Sequence, residues 1–416
     1  MRATLATARA TAIERRDRSV RRGRDSRRIA TRASGASDDD SYGDVDGRVH
    51  VSRSAPALPR RDAIVALATA ATTLTMSGGA SASGPLCGYF DEFSAGVVPK
   101  YAYDTPWNEG VVSGATFVRG VGDYKKAKKA KKAPVLAIAN GPGIAHGYMS
   151  ALETLSGEAG GAREVFLYDQ RGCGRSAKAQ EYNLALFLDE LRDIVRELKL
   201  VEEGGAHVLA HGYWGTRLAT TLALDTPGFA RSMTLVSPTT SRRREVADWR
   251  RALDDLSRES REAILAYESD LDPSKRQAYD QALSEFSERF ITVRGAKGAC
   301  TEAALAPRSS DDQRLALTGR RYFSAAGSLA DDGLALESMG ARLGKNGVRA
   351  VRVVRGVRDA TTSESAMEIV NAINADSAVG APFCAYDEVE NAGSCVFLDR
   401  ADYFFETLNI CAEQAD

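Results

Sequence analysis

Five short apolar runs punctuate the chain: Ala133–Ala139 (APVLAIA), Glu164–Asp169 (EVFLYD), Ala206–Ala210 (AHVLA), Ser232–Ser237 (SMTLVS) and Ala350–Val354 (AVRVV). They show no polar alternation and are set off by Gly and Pro, the pattern of strands buried on both faces. Between them, Asn183–Leu200 places Leu184, Leu188, Leu191, Ile194, Val195 and Leu198 on one helical stripe with charges opposite. Gly215–Asp225 predicts a second helix, stopped by Pro227-Gly228. Strand–helix alternation implies a mostly parallel sheet with helices on both faces. Residues 241–345 break the pattern: they are charged and helical, with no buried-strand run. An insertion between two strands of such a sheet lies over their carboxyl ends, where ligands bind, and so predicts a cap.

Charge divides the chain further. Of its 416 residues, 55 are Lys or Arg and 56 Asp or Glu, but residues 1–82 hold 15 Arg, no Lys and 9 acids. The remainder, 83–416, carries a formal −7. A mildly acidic body argues against a nucleic-acid binder. No apolar stretch reaches the roughly 18 residues that a membrane-spanning helix needs. Residues 1–34 are rich in Arg, Ala, Thr and Ser, the composition of an organelle transit peptide, with a basic tail as the other reading. Within 35–82, Arg60-Arg61 precedes a short uncharged run and then Ala80-Ser81-Ala82, which resembles a cleavable twin-arginine signal. The pair resembles the bipartite leader of proteins of the chloroplast thylakoid lumen, and predicts a mature chain starting near Ser83. All six Cys lie beyond it, at 87, 173, 300, 384, 395 and 411; export permits disulfides, and fifteen pairings are open. The six Lys of residues 124–133 read as a solvated hairpin loop, or as a patch for anionic lipid or an acidic partner.

Three segments carry candidate chemistry. Asp169-Gln170-Arg171-Gly172-Cys173-Gly174-Arg175-Ser176 follows a strand, and Asp169 and Arg171 can pin the turn. Asn140-Gly141-Pro142-Gly143 follows another, and its backbone amides can converge on an oxyanion. Ala206–Ala210, His211-Gly212-Tyr213-Trp214-Gly215 and a helix form a strand–turn–helix unit, the setting of a nucleophile elbow. Together these segments resemble the α/β-hydrolase fold with an inserted helical cap, and within it the proline iminopeptidases. The DQRGCGRS string is that family's own, and Gly141-Pro142-Gly143 matches the end of its HGGPG motif. The resemblance places Tyr213 at the nucleophile, Asp359 at the acid and Ser394 at the histidine of a Ser–His–Asp triad. It makes Asn140, Gly141 and Trp214 the oxyanion-type backbone donors. It sets Gly319 where a cap Glu would bind the substrate's amino group.

The departures decide the functional expectation. A phenol is a poor acyl-transfer nucleophile without a base, and a serine cannot shuttle a proton near neutral pH. The four His are 50, 146, 207 and 211, so no histidine follows residue 211 whatever the alignment. Asp359 is left without an imidazole to orient. His211 reads as a hydrogen-bonded residue at the strand end or, less simply, as a substitute base; His146 reads as a partly exposed helix residue. No ligand cluster for a metal and no dinucleotide motif is present, so no cofactor is expected. The sequence therefore predicts a lumenal protein without peptidase activity, binding a small molecule or peptide under the cap or a lumenal protein. An active hydrolase with an unconventional site, and a docking factor of the photosynthetic membrane, are the other readings.

Overall fold

A computed structural model describes residues 107–157, 161–293, 312–375 and 380–416. The leader segments, Cys87 and Cys300 lie outside the described residues. The chain enters through β1 (Trp107–Val112) and β2 (Thr116–Val121), a hairpin, then α1 (Tyr124–Lys129) and β3 (Val135–Ile138). A 3₁₀ helix (His146–Ser156) leads to β4 (Val165–Tyr168), then α2 (Leu184–Glu197), β5 (Ala206–His211), α3 (Gly212–Asp225) and β6 (Ala230–Val236). Next come α4 (Arg242–Ala252), α5 (Arg258–Asp270), α6 (Arg276–Phe286), α7 (Asp312–Thr318) and α8 (Met339–Lys345). The last elements are β7 (Ala350–Gly356), α9 (Ser363–Asn374), β8 (Phe383–Val389), α10 (Val396–Asp399) and α11 (Ala401–Ala415).

The strands form one sheet in the order β1-β2-β4-β3-β5-β6-β7-β8. From β4 through β8 all neighbours are parallel; β2 runs antiparallel to both of its neighbours, β1 and β4. Successive side chains of a strand face opposite ways, and the buried strands split accordingly. Leu136 and Ile138 of β3, with Val208 and Ala210 of β5, join a core under α2, α3 and α9. Val135, Ala137 and Leu209 join a second core with the 3₁₀ helix, α10 and α11. Both sides of the sheet are thus dry, as the apolar runs required. A third cluster, including Leu253, Ile264, Tyr279, Phe286 and Phe323, belongs to the helices between β6 and β7.

Several local expectations differ from the fold. The Lys run is not a loop: Lys125 and its neighbours form α1, whose N-terminus Asp123 caps by accepting from the Lys125 and Lys126 amides at 2.9 and 3.1 Å. The helix expected from Gly215 begins at Gly212. β1, β2 and β8 escaped notice because their sequences (WNEGVV, TFVRGV, FCAYDEV) mix polar and apolar residues at or near a sheet edge. The four described cysteines, 173, 384, 395 and 411, are buried. Among the described residues no helix is long and apolar enough to cross a membrane.

One buried acid is under strain. Glu190 of α2 accepts a 2.6 Å hydrogen bond from Thr116 Oγ1, while its Oε2 has no partner. Burial pushes its carboxyl up to about 8. The folded chain therefore holds a proton that the unfolded chain releases near its ordinary pKa. Stability should fall as pH rises from the unfolded value through about 8. A shift of this size corresponds to about 5 kcal/mol at most. Glu190→Gln should leave stability unchanged at acid pH, raise it at pH 9, and flatten the slope between. Urea unfolding of both proteins across that range checks this; parallel curves would refute it.

Candidate functional site

The sharpest reversal at the sheet's carboxyl edge is the step from β5 into α3, and the residue that makes it is Gly212, at φ +66°. The expected nucleophile position, Tyr213, falls one residue after this left-handed glycine. The turn residue is where a nucleophile elbow displays its nucleophile, and here it has no side chain. Tyr213 lies one residue further on, inside the first turn of α3, with its ring buried. The physical signal was present in the sequence: a left-handed φ is costly for a bulky residue and cheap for glycine, so counting from the strand end selects Gly212. Tyr213 has a different task. Its hydroxyl donates to Asp332 Oδ2 at 2.7 Å, and the same carboxylate receives Arg217 Nε at 2.7 Å and Nη2 at 2.9 Å. This fork fastens the segment before α8 onto α3. Burial, then the Asp332 carboxylate, holds the phenol well above its ordinary range.

The place of the missing side chain is taken. A Cβ built on Gly212 would overlap Cγ, Nδ2 and Oδ1 of Asn140. The expected oxyanion donors are also engaged or displaced. Asn140 N–H donates to Tyr148 Oη at 2.8 Å, and Gly141 N–H donates to the Asn140 side-chain oxygen at 2.8 Å. The amide following Gly212 is that of Tyr213, not Trp214. Trp214 is instead a structural pin: its fully buried indole donates to Gln170 Oε1 at 2.9 Å, and Gln170 Nε2 donates to the Ala139 carbonyl at 3.1 Å. The DQRGCGRS turn thereby ties β4 to β3 and to the elbow. Asp169 and Arg171 pin it as expected: Asp169 Oδ2 accepts the Arg175 amide at 2.9 Å, and Arg171 reaches the Ala177 and Lys178 carbonyls.

Asp359 and Ser394 lie on adjacent loops. Arg358 N–H donates to the Ala392 carbonyl at 2.9 Å, and Gly356 is needed there, because a Cβ would run into the carbonyls of Ala392 and Gly393. Ser237, at the end of β6, stands beside them: its hydroxyl donates to the Ser394 carbonyl at 3.0 Å. Nothing in the sequence marked Ser237. Asp359 Oδ1 accepts the Thr361 amide at 3.0 Å, and Oδ2 has no partner. Burial outweighs the help of Ser237 and Arg355 and pushes this carboxyl up to about 6.

Neither nearby histidine supplies a base. His211 meets Tyr148 Oη at 2.8 Å and packs edge-on against Phe397. The Ser394 carbonyl favours its charged form, but burial dominates and drives it down to about 4. His146 is buried, which corrects the expectation of partial exposure: Nδ1 lies 2.6 Å from Asp169 Oδ1, and the ring stacks on Phe117. In the cap, Gly319 offers no carboxylate. Glu268 is buried beneath that segment, but it is spent on Tyr279 Oη and the amides of Tyr322 and Phe323. Among the described residues no group of His, Cys, Asp and Glu could hold a metal ion.

Comparison with known proteins fits this geometry. A family model described as alpha/beta hydrolase matches residues 143–407. A proline iminopeptidase of Heyndrickxia coagulans is 30% identical over 161 residues, 38% of this chain and 53% of that protein. One from Clostridioides difficile is 26% identical over 219 residues, 52% of this chain and 71% of that protein. The matched region thus spans about half the length of the first relative. The crystal structure of a Mycobacterium smegmatis proline iminopeptidase superposes with a TM-score of 0.60 at 21% identity, covering 75% of this chain and all of that one, a likeness of fold.

The packing of Asn140 on Gly212 is testable by a double-mutant cycle. Gly212→Ala should cost about 1–2 kcal/mol from the left-handed backbone and about 1–3 kcal/mol more from overpacking against the amide. In an Asn140→Gly background only the backbone cost should remain, a coupling of about 1–3 kcal/mol. Additive effects in urea unfolding would show that the amide does not fill that space.

Proposed function

The chain belongs to the alpha/beta hydrolase family, and from that premise we propose that it keeps the scaffold of a proline iminopeptidase without acyl-transfer chemistry and serves as a partner-binding protein of the thylakoid lumen. One observation carries the loss of chemistry: the elbow's turn residue is Gly212, and Asn140 fills the space its side chain would need. A covalent route requires a nucleophile, a base to activate it and a group to orient the base. Asp359 stands at the position of the third alone. The buried, hard-to-protonate imidazole of His211 is a packing group. The contacts of Asn140 and the Asp332 fork above the elbow favour a protein partner over a small molecule or peptide beneath the cap. The lumen assignment rests on the two successive signals in residues 1–34 and 35–82.

Two measurements test these readings separately. The purified chain should hydrolyse proline-aminoacyl chromogenic substrates no faster than buffer. Loss of triad members costs a factor of roughly 10⁴ to 10⁶ in turnover, and the losses are not additive. Gly212→Ser alone should stay silent, because the new hydroxyl has no base. Turnover by the unaltered chain that disappears on substituting His211 would overturn the reading. For location, mass spectrometry of the protein from its source organelle should find an N-terminus near Ser83; a mature form that retains Arg60-Arg61 would sink the lumen assignment.

A further inference from the structure

Six lysines stand close together at 125, 126, 128, 129, 131 and 132. Without them residues 83–416 would carry a formal −13 instead of −7. The fold fixes which way they face. Asp123 caps the start of α1, and Tyr124 and Ala127 are the buried residues that seat it. Lys125, Lys126, Lys128 and Lys129 stand exposed on its outer side, with Lys131 exposed on the turn that follows. Lys132 N–H donates to the Ala127 carbonyl at 2.9 Å, closing the helix end around Lys131, whose φ is +56°. Glycine is the less strained residue at such a helix end, so the backbone gives no reason for a lysine there.

The helix leads into the amino end of β3, which lies parallel to β5, and the elbow follows the carboxyl end of β5. The lysine face is therefore at the edge of the sheet opposite Gly212. Exposed Lys199, Lys345 and Arg349 precede β5 and β7 at the same edge. Acids are present there too. Glu413 and Asp416 pair with Lys132 at 3.1 and 3.6 Å, and Glu203 accepts from the Tyr124 hydroxyl at 3.2 Å. They offset Lys132 and leave its neighbours free: among the described residues Lys125, Lys129 and Lys131 enter no ion pair.

We propose that this face docks the protein on an anionic lipid bilayer, with the elbow and cap turned away from the surface. The character of the charge selects a bilayer over a protein. Protein interfaces are depleted in lysine and centre on buried aromatic or aliphatic anchors. Here α1 offers none, since its one aromatic residue is turned inward. Lysine is a point charge on a flexible stem, suited to headgroups that rearrange laterally rather than to a fixed set of carboxylates. Each lysine near such a surface strengthens adsorption roughly fivefold. Screening over about 8 Å at physiological salt leaves only the acids beside the patch to oppose it. The proposal depends neither on the loss of acyl transfer nor on the lumen assignment.

Amine footprinting of the full chain reads this face directly, because residues 1–82 contain Arg but no Lys. The probe is unilamellar vesicles of equal parts phosphatidylcholine and phosphatidylglycerol, against phosphatidylcholine alone. At low salt, acetylation of Lys125, Lys129 and Lys131 should fall roughly fivefold or more on the anionic vesicles. Lys178, at the carboxyl edge, and Lys275, in the cap, should label alike on both. Sodium chloride at about 0.5 M should abolish the protection. Lys125→Gln/Lys129→Gln/Lys131→Gln should weaken adsorption about a hundredfold. It should also open Lys126 and Lys128 to the reagent and leave the thermal midpoint unchanged. Lys178→Gln/Arg258→Gln/Arg261→Gln, the same loss of charge placed elsewhere, should keep the protection. Equal labelling of α1 on both vesicles overturns the proposal, and protection by poly-glutamate instead would point to an acidic protein. Protection shared by Lys178 and Lys275, or surviving in the α1 triple variant, also overturns it, since the arginines of residues 1–82 would then be the tether.

Discussion

Each parallel strand from β3 to β7 is covered on both faces, so a strand can leave the sheet only by turning sharply at its edge. The turns carry everything chemical about this protein. Polar groups that would be costly inside the two cores collect where β3, β4, β5, β6 and β7 end, within reach of one another. Gln170 shows how economically the edge is tied: one amide accepts from the Trp214 indole and donates to the Ala139 carbonyl, joining three strand ends. A loop geometry fixed in this way persists whether or not a reaction is carried out above it.

The polar groups around the elbow form a set of closed pairs. Asp332 takes both the Tyr213 hydroxyl and the Arg217 guanidinium. Asp248 accepts from Thr362 N–H and from the hydroxyls of Thr362 and Ser365, fastening α4 to the start of α9. Glu268 serves backbone amides inside the insertion. A catalytic site keeps some polar groups poised for a substrate and leaves them exposed or strained. Here nearly every carboxylate near the elbow is committed within the chain, and the exception, Asp359 with its bare Oδ2, stands at the position the triad would have used.

Much of this architecture was legible in the sequence. Buried parallel strands announce themselves as unbroken apolar runs, and all five predicted runs are strands. The edge strands did not announce themselves, because a strand half in water tolerates mixed residues. The missing histidine needed no structure, since a residue type absent after position 211 cannot be supplied by refolding. The left-handed backbone at Gly212 was not read from the sequence, where the motif match rested on Gly215. Ser237 and Asp332 were invisible for another reason. Their roles depend on contacts between segments distant in sequence.

The Gly212 turn also bears on reversibility. A hydrolase elbow forces a serine into a backbone conformation that its side chain resists, a strain of roughly 1–3 kcal/mol kept for the sake of function. Glycine at that position relaxes the strain, and the Asn140 amide then settles into the vacated volume. Each step away from catalysis is downhill for the fold. The way back must restore the strain and evict the amide before any gain in activity exists to offset either cost. Under the proposed loss of acyl transfer, this elbow acts as a ratchet, held by packing and backbone energy together.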